Sequence, residues 1–108
     1  MEKQNVEKIV ALINHWGVPS QLVIAMEEAA ELQVVCSKVL RYPLKKDAIV
    51  DALGDSYVML QTLCTVFGVS REDLEAVATA KLDKAIAAIA AQANEPAPNV
   101  SDPVQQCH

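Results

Sequence analysis

Apolar residues return every three to four positions along most of this chain, and the breaks in that rhythm mark four helices. Val6, Ile9, Val10 and Ile13 form the stripe of a first helix, from about Glu2 to His15, which Gly17 ends. A second helix starts at Pro19-Ser20, residue types suited to a helix N-terminus, and runs to about Leu40. Arg41-Tyr42-Pro43 stops it, because the residue before a proline resists the α conformation. A third spans about Lys46 to Phe67 and ends at Gly68. Ser70 is placed to cap a fourth, with Asp73 in its first turn and Val69 and Leu74 spaced as a hydrophobic staple; it reaches about Ala93. The pattern predicts an all-α, four-helix bundle-like domain over residues 1–93. Residues 94–108 hold three prolines and no stripe, which predicts a flexible tail.

The second and third helices, roughly 30 Å long at about 1.5 Å per residue, are apolar over more than one stripe. A helix apolar on most sides is buried on most sides. A chain of this size cannot cover two such helices alone, so a homo-oligomer is expected. Composition sharpens this picture. Hydrophobic residues make up 52% of the chain but aromatics only 4%, which disfavours a β-sandwich or barrel. A net charge of −5 makes generic nucleic-acid binding unfavourable, because phosphate neutralisation needs a basic surface. No run reaches the roughly 18 apolar residues of a membrane span, and MEKQNVEK does not read as a signal peptide. A soluble, cytoplasmic protein without membrane partners is expected. Cys36 and Cys64 lie in apolar runs and read as small core residues, and no cysteine or histidine spacing suggests zinc.

The acids are the anomaly. Glu27, Glu28 and Glu31 share one side of the second helix, and helical spacing gives Ile24, Glu28, Glu31 and Val35 in line. Carboxylates therefore interrupt an apolar stripe. On the third helix Asp51 and Asp55 are followed on the same side by Val58 and Thr62. Like charges at these spacings repel, and the repulsion grows when they are buried. Two antiparallel helices joined by a short link would set the two groups face to face. Convergent carboxylates without His or Cys suit a hard, oxygen-seeking cation, Mg²⁺ first and Mn²⁺ second. The alternative is that the acids form an ordinary solvated face.

Glu27-Glu28-Ala29-Ala30-Glu31-Leu32, followed by a basic link and then Asp51-Ala52-Leu53-Gly54-Asp55, resembles the EExxE…ExxD signature of the MazG-like all-α nucleoside triphosphate pyrophosphohydrolases, especially the short single-domain type. Trp16, Gln21-Leu22 and Tyr57-Val58-Met59-Leu60 extend the likeness, which covers roughly residues 14–84. The resemblance implies a helical bundle assembled as a homodimer or homotetramer. It also implies Mg²⁺-dependent hydrolysis of a (deoxy)nucleoside triphosphate to the monophosphate and pyrophosphate. By position, Glu28, Glu31 and Asp55 match metal ligands, and Glu27 matches the acid that orients or activates water. The second motif departs from the pattern: Ala52 stands where the family has Glu. Asp51 is the residue placed to substitute in part. The departure opens two alternatives, a MazG-like protein that binds nucleotides without efficient hydrolysis and a non-enzymatic helical interaction module.

Phosphate chemistry needs neutralised charge and a proton acceptor more than covalent catalysis. Glu27 and Glu31 are the candidate proton acceptors. Lys38, Arg41, Lys45 and Lys46 cluster at the link between the second and third helices, and Lys81 and Lys84 lie on the fourth. Lys81 is the first candidate for a phosphate contact, because the family places a basic residue on that helix; the alternative for these residues is a solvated charge or a partner for nearby acids. Trp16 is suited to stacking on a base or to packing a helix corner, and Gln21 and Asn14 to reading base edges.

Overall fold

The structure, a computed structural model, describes residues 1–93 and is all-helical over them: α1 (Lys3–Trp16), α2 (Val18–Arg41), α3 (Lys46–Phe67) and α4 (Arg71–Gln92). Each boundary lies within two residues of its sequence expectation, and the expected tail lies outside the described residues. No single described helix is long and apolar enough to cross a membrane. The chain divides into two units, Met1–Ser70 and the part from Arg71 onward.

In the first unit, α1 and α2 meet at a bend of 115°. Gly17 makes it possible. Its φ of 86° and ψ of 159° lie in a region that is open to glycine and strained for other residues. Its N–H caps α1 on the Ile13 carbonyl at 2.8 Å, and its own carbonyl accepts from Gln21 N–H at 3.3 Å. Pro19 sits in the first turn of α2, where its missing N–H costs nothing. At the other end of α2, Tyr42 is extended ahead of Pro43, while Lys38 and Arg41 in the last turn complement the helix dipole. Residues 42–45 then return the chain into α3. Gly68, left-handed at φ 66°, closes α3, with Val69 N–H on the Cys64 carbonyl at 2.9 Å.

α2 and α3 form an antiparallel hairpin, with α1 packed on both. Along α2 the inward stripe runs through Gln21, Leu22, Ala25, Glu28, Leu32 and Val35; along α3 it runs through Ile49, Ala52, Ser56, Met59, Thr62 and Val66. The polar members of the α3 stripe satisfy themselves on their own helix. Ser56 Oγ donates to the Ala52 carbonyl at 3.1 Å, and Thr62 Oγ1 to the Val58 carbonyl at 2.8 Å. Of the α1 stripe, Ile9 is buried, Ile13 half-buried, and Val6 and Val10 exposed.

One expectation changes here. Cys36 is exposed and Cys64 only half-buried, so neither is a core residue within the chain. Cys36 falls one position beyond Val35 and so turns away from the inward stripe by about 100°. Within the first unit, α2 and α3 leave large apolar side chains uncovered, as expected of helices apolar on more than one side: Met26 and Leu40 on α2 and Val50, Leu53 and Leu60 on α3 are exposed. Three helices have inward stripes for one another and nothing in the first unit for the remaining faces. Taken by itself, α4 exposes every one of its residues, including Leu74, Val77, Leu82, Ile86 and Ile89.

Candidate functional site

Glu28 stands on the inward stripe of α2, and Glu31 lies one turn further along the same side. From α3, Asp55 comes to meet them because the hairpin runs antiparallel. One carboxylate oxygen from each of Glu28, Glu31 and Asp55 lies within 4.8 Å of the others. Glu28 is half-buried, whereas Glu31 and Asp55 are exposed, so the cluster sits at the mouth of the helix seam rather than deep within it. Among the described residues no Lys, Arg or His forms an ion pair with any of the three.

That arrangement leaves Glu28 reluctant to ionise. Its pKa is raised above the usual glutamate value, first by partial desolvation and then by the negative charges of Asp55, Glu31, Glu27 and Asp51. Glu27 and Asp51 thus act on the cluster through space while their side chains stay outside it. Both are exposed. Ala52 does lie on the inward stripe of α3, half-buried, one turn before Asp55. Position 52 itself offers only a methyl, which binds no cation.

Behind the carboxylates, α1, α2 and α3 enclose an open cavity of about 240 Å³. Glu28 and Asp55 form its acidic end. Leu12, Trp16, Ile24, Ala25, Val58 and Met59 make an apolar wall, and Gln21 and Thr62 complete the lining. Trp16 is 60% exposed, with its ring held edge-on against His15 at 4.6 Å and 87°. The fold thus brings Trp16 and Gln21 into one space with Glu28 and Asp55. Asn14 is exposed and takes no part in the lining.

The basic candidates of the first unit lie at a distance from the cluster along the hairpin. Lys38 and Arg41 are in the last turn of α2, ten or more residues beyond Glu28, or about 15 Å along the helix axis. With Lys45 and Lys46 they mark the opposite end of the hairpin. Lys81 and Lys84 are exposed residues of α4, in the second unit. Leu12, Ala25 and Met59 carry no chemical signature in the sequence, and only the closure of three helices makes them part of a site.

Oxygen-only donors of this kind suit a hard divalent cation better than softer ions that favour imidazole or thiolate. Protons compete with such a cation for Glu28. Because the Glu28 pKa is raised, Mn²⁺ affinity is expected to climb as pH rises from the usual glutamate range through the Glu28 titration, then level off. Without metal the same shift has the opposite sign for stability. The protonated form suits the fold, so its contribution is intact below the unfolded-chain pKa and is lost as pH rises through the folded value. Calorimetric Mn²⁺ titrations and melting curves across that range check both slopes; a flat Mn²⁺ affinity would remove Glu28 from the candidate ligands. No protein-family model, curated protein or solved structure matches this chain.

Proposed function

We propose that this chain is a Mg²⁺-dependent nucleoside triphosphate pyrophosphohydrolase of the MazG-like all-α kind, converting a (d)NTP and water to the (d)NMP and pyrophosphate. The observation that carries this reading is an unpaired three-carboxylate cluster opening onto an apolar cavity large enough for a small ring. Glu28, Glu31 and Asp55 would hold Mg²⁺, or Mn²⁺ in its place. The cation, when bound, supplies charge neutralisation for the triphosphate and lowers the pKa of a coordinated water. Glu27 or Glu31 would accept the proton of water attacking the α-phosphorus. Trp16 and the apolar wall would exclude water from the base end of the ligand. Asp51 contributes negative charge near the site, and its place outside the cluster makes it a weaker ligand candidate than the three clustered acids.

The uncovered apolar faces of α2 and α3 support a homodimer or homotetramer, since burying apolar area is worth roughly 25 cal/mol per Å². Ala52 favours one second reading, a nucleotide-binding protein with little turnover, because the cluster lacks its fourth carboxylate. One assay tests all of this. The full chain is incubated with ribo- and deoxynucleoside triphosphates and Mg²⁺ or Mn²⁺, and monophosphate and pyrophosphate are measured, with light scattering giving the oligomeric state. Release of pyrophosphate by a dimer or tetramer is the expected result. Metal-dependent binding without product favours the second reading, and neither binding nor turnover leaves only a helical interaction module.

A further inference from the structure

The cavity holds one polar group that the fold does not use. Gln21 is 8% exposed and lines the cavity, yet its carboxamide makes no hydrogen bond to another described residue. Among the described residues no fully enclosed side-chain nitrogen or oxygen lacks a partner, so the amide keeps its access to solvent through the cavity. Thr62, the other neutral polar residue of the lining, has already committed its hydroxyl hydrogen to the Val58 carbonyl. Glu28 and Asp55 are drawn into the acidic cluster. A nearly buried amide that faces only the solvent of a cavity, with no protein partner to give up, is free to exchange that solvent for the edge of a ligand.

We infer that Gln21 is the specificity-determining residue of this cavity and that it reads the edge of a nucleobase. A carboxamide offers a donor and an acceptor side by side. Nucleobase edges present the complementary pair, and Gln is among the side chains that bind them in a bidentate manner. The apolar wall from Leu12, Trp16, Ile24 and Val58 suits the faces of a flat ring, and the acidic end lies at the same cavity's other side. This inference rests on the pyrophosphohydrolase reading only for what is attached to the base.

Trp16 is the single tryptophan of the chain and lines the cavity, so its fluorescence reports occupancy. The full chain is titrated without metal against adenosine, guanosine, cytidine and uridine, and then again as Gln21→Leu and Gln21→Glu. The unsubstituted chain should separate its best from its worst nucleoside by roughly 5- to 150-fold in Kd, the worth of one bidentate contact. Gln21→Leu should abolish that separation, and Gln21→Glu, which loses the donor, should reorder it. Gln21→Leu should melt at or above the wild-type Tm, because no other described residue bonds the amide. The inference is overturned if Gln21→Leu keeps the wild-type ranking, if it melts well below wild type, or if no nucleoside alters Trp16 fluorescence. Inorganic tripolyphosphate with Mn²⁺ is titrated beside these on the unsubstituted chain. If it does not bind while Gln21 still ranks the nucleosides, the phosphate chemistry fails and the base reader stands.

Discussion

Glu28→Gln should lower turnover by about 10²–10³-fold, the scale of losing one preorganised charged group from a phosphate site. The amide keeps the size and one acceptor of the carboxylate but loses its charge. Its effect on the metal-free protein should have the opposite sense. Glu28 is the half-buried member of the cluster, and its charge is opposed by Asp55, Glu31, Glu27 and Asp51. Removing that charge relieves the repulsion, so the metal-free Tm should rise while the Tm increase caused by Mg²⁺ or Mn²⁺ disappears. A structural role for Glu28 would lower both activity and Tm. Paired melting curves and pyrophosphate release separate these cases, and unchanged turnover would move the site elsewhere.

Ala52→Glu is the reciprocal experiment. Position 52 is half-buried on the inward stripe of α3, one turn before Asp55, so a longer side chain there starts from the same side of the helix as the cluster. A fourth carboxylate should raise Mn²⁺ affinity about tenfold, or about 1.4 kcal/mol. Turnover should rise with it. The metal-free protein should melt lower, because one more like charge joins the cluster and no described basic group is paired there. At saturating metal the loss should be offset by binding to the folded state alone. Isothermal titration and steady-state rates give the answer. A variant with unchanged affinity and rate would show that Ala52 does not limit this site and that the chain works with three clustered carboxylates.

These outcomes turn on features that the sequence shows to different degrees. Helix positions were legible almost to the residue, because each end carries its own local chemistry: Gly17 and Gly68 at positive φ, Pro19 in a first turn, Pro43 behind an extended Tyr42. Ile24, Glu28, Asp55, Val58 and Thr62 were also legible as same-side neighbours, since a helix repeats its faces locally. The burial of Cys36 was misread for a related reason. An apolar run contains both inward and outward positions, and only the packing partner distinguishes Val35 from Cys36.

By itself, then, the sequence determined four helices, their stops, and two acidic groups at helical spacing within apolar runs, all of which depend on residues a few positions apart. The tertiary structure decided what depends on residues far apart. The antiparallel register of α2 on α3 selected Glu28, Glu31 and Asp55 from five candidate acids and left Glu27 and Asp51 outside. Packing of α1 across that hairpin placed Leu12, Trp16 and Gln21 in a cavity with Glu28 and Asp55. Carboxylate repulsion and an unpartnered amide become chemistry only when the chain closes around them. Helical periodicity states which residues share a face, and the facing helix decides what that face meets.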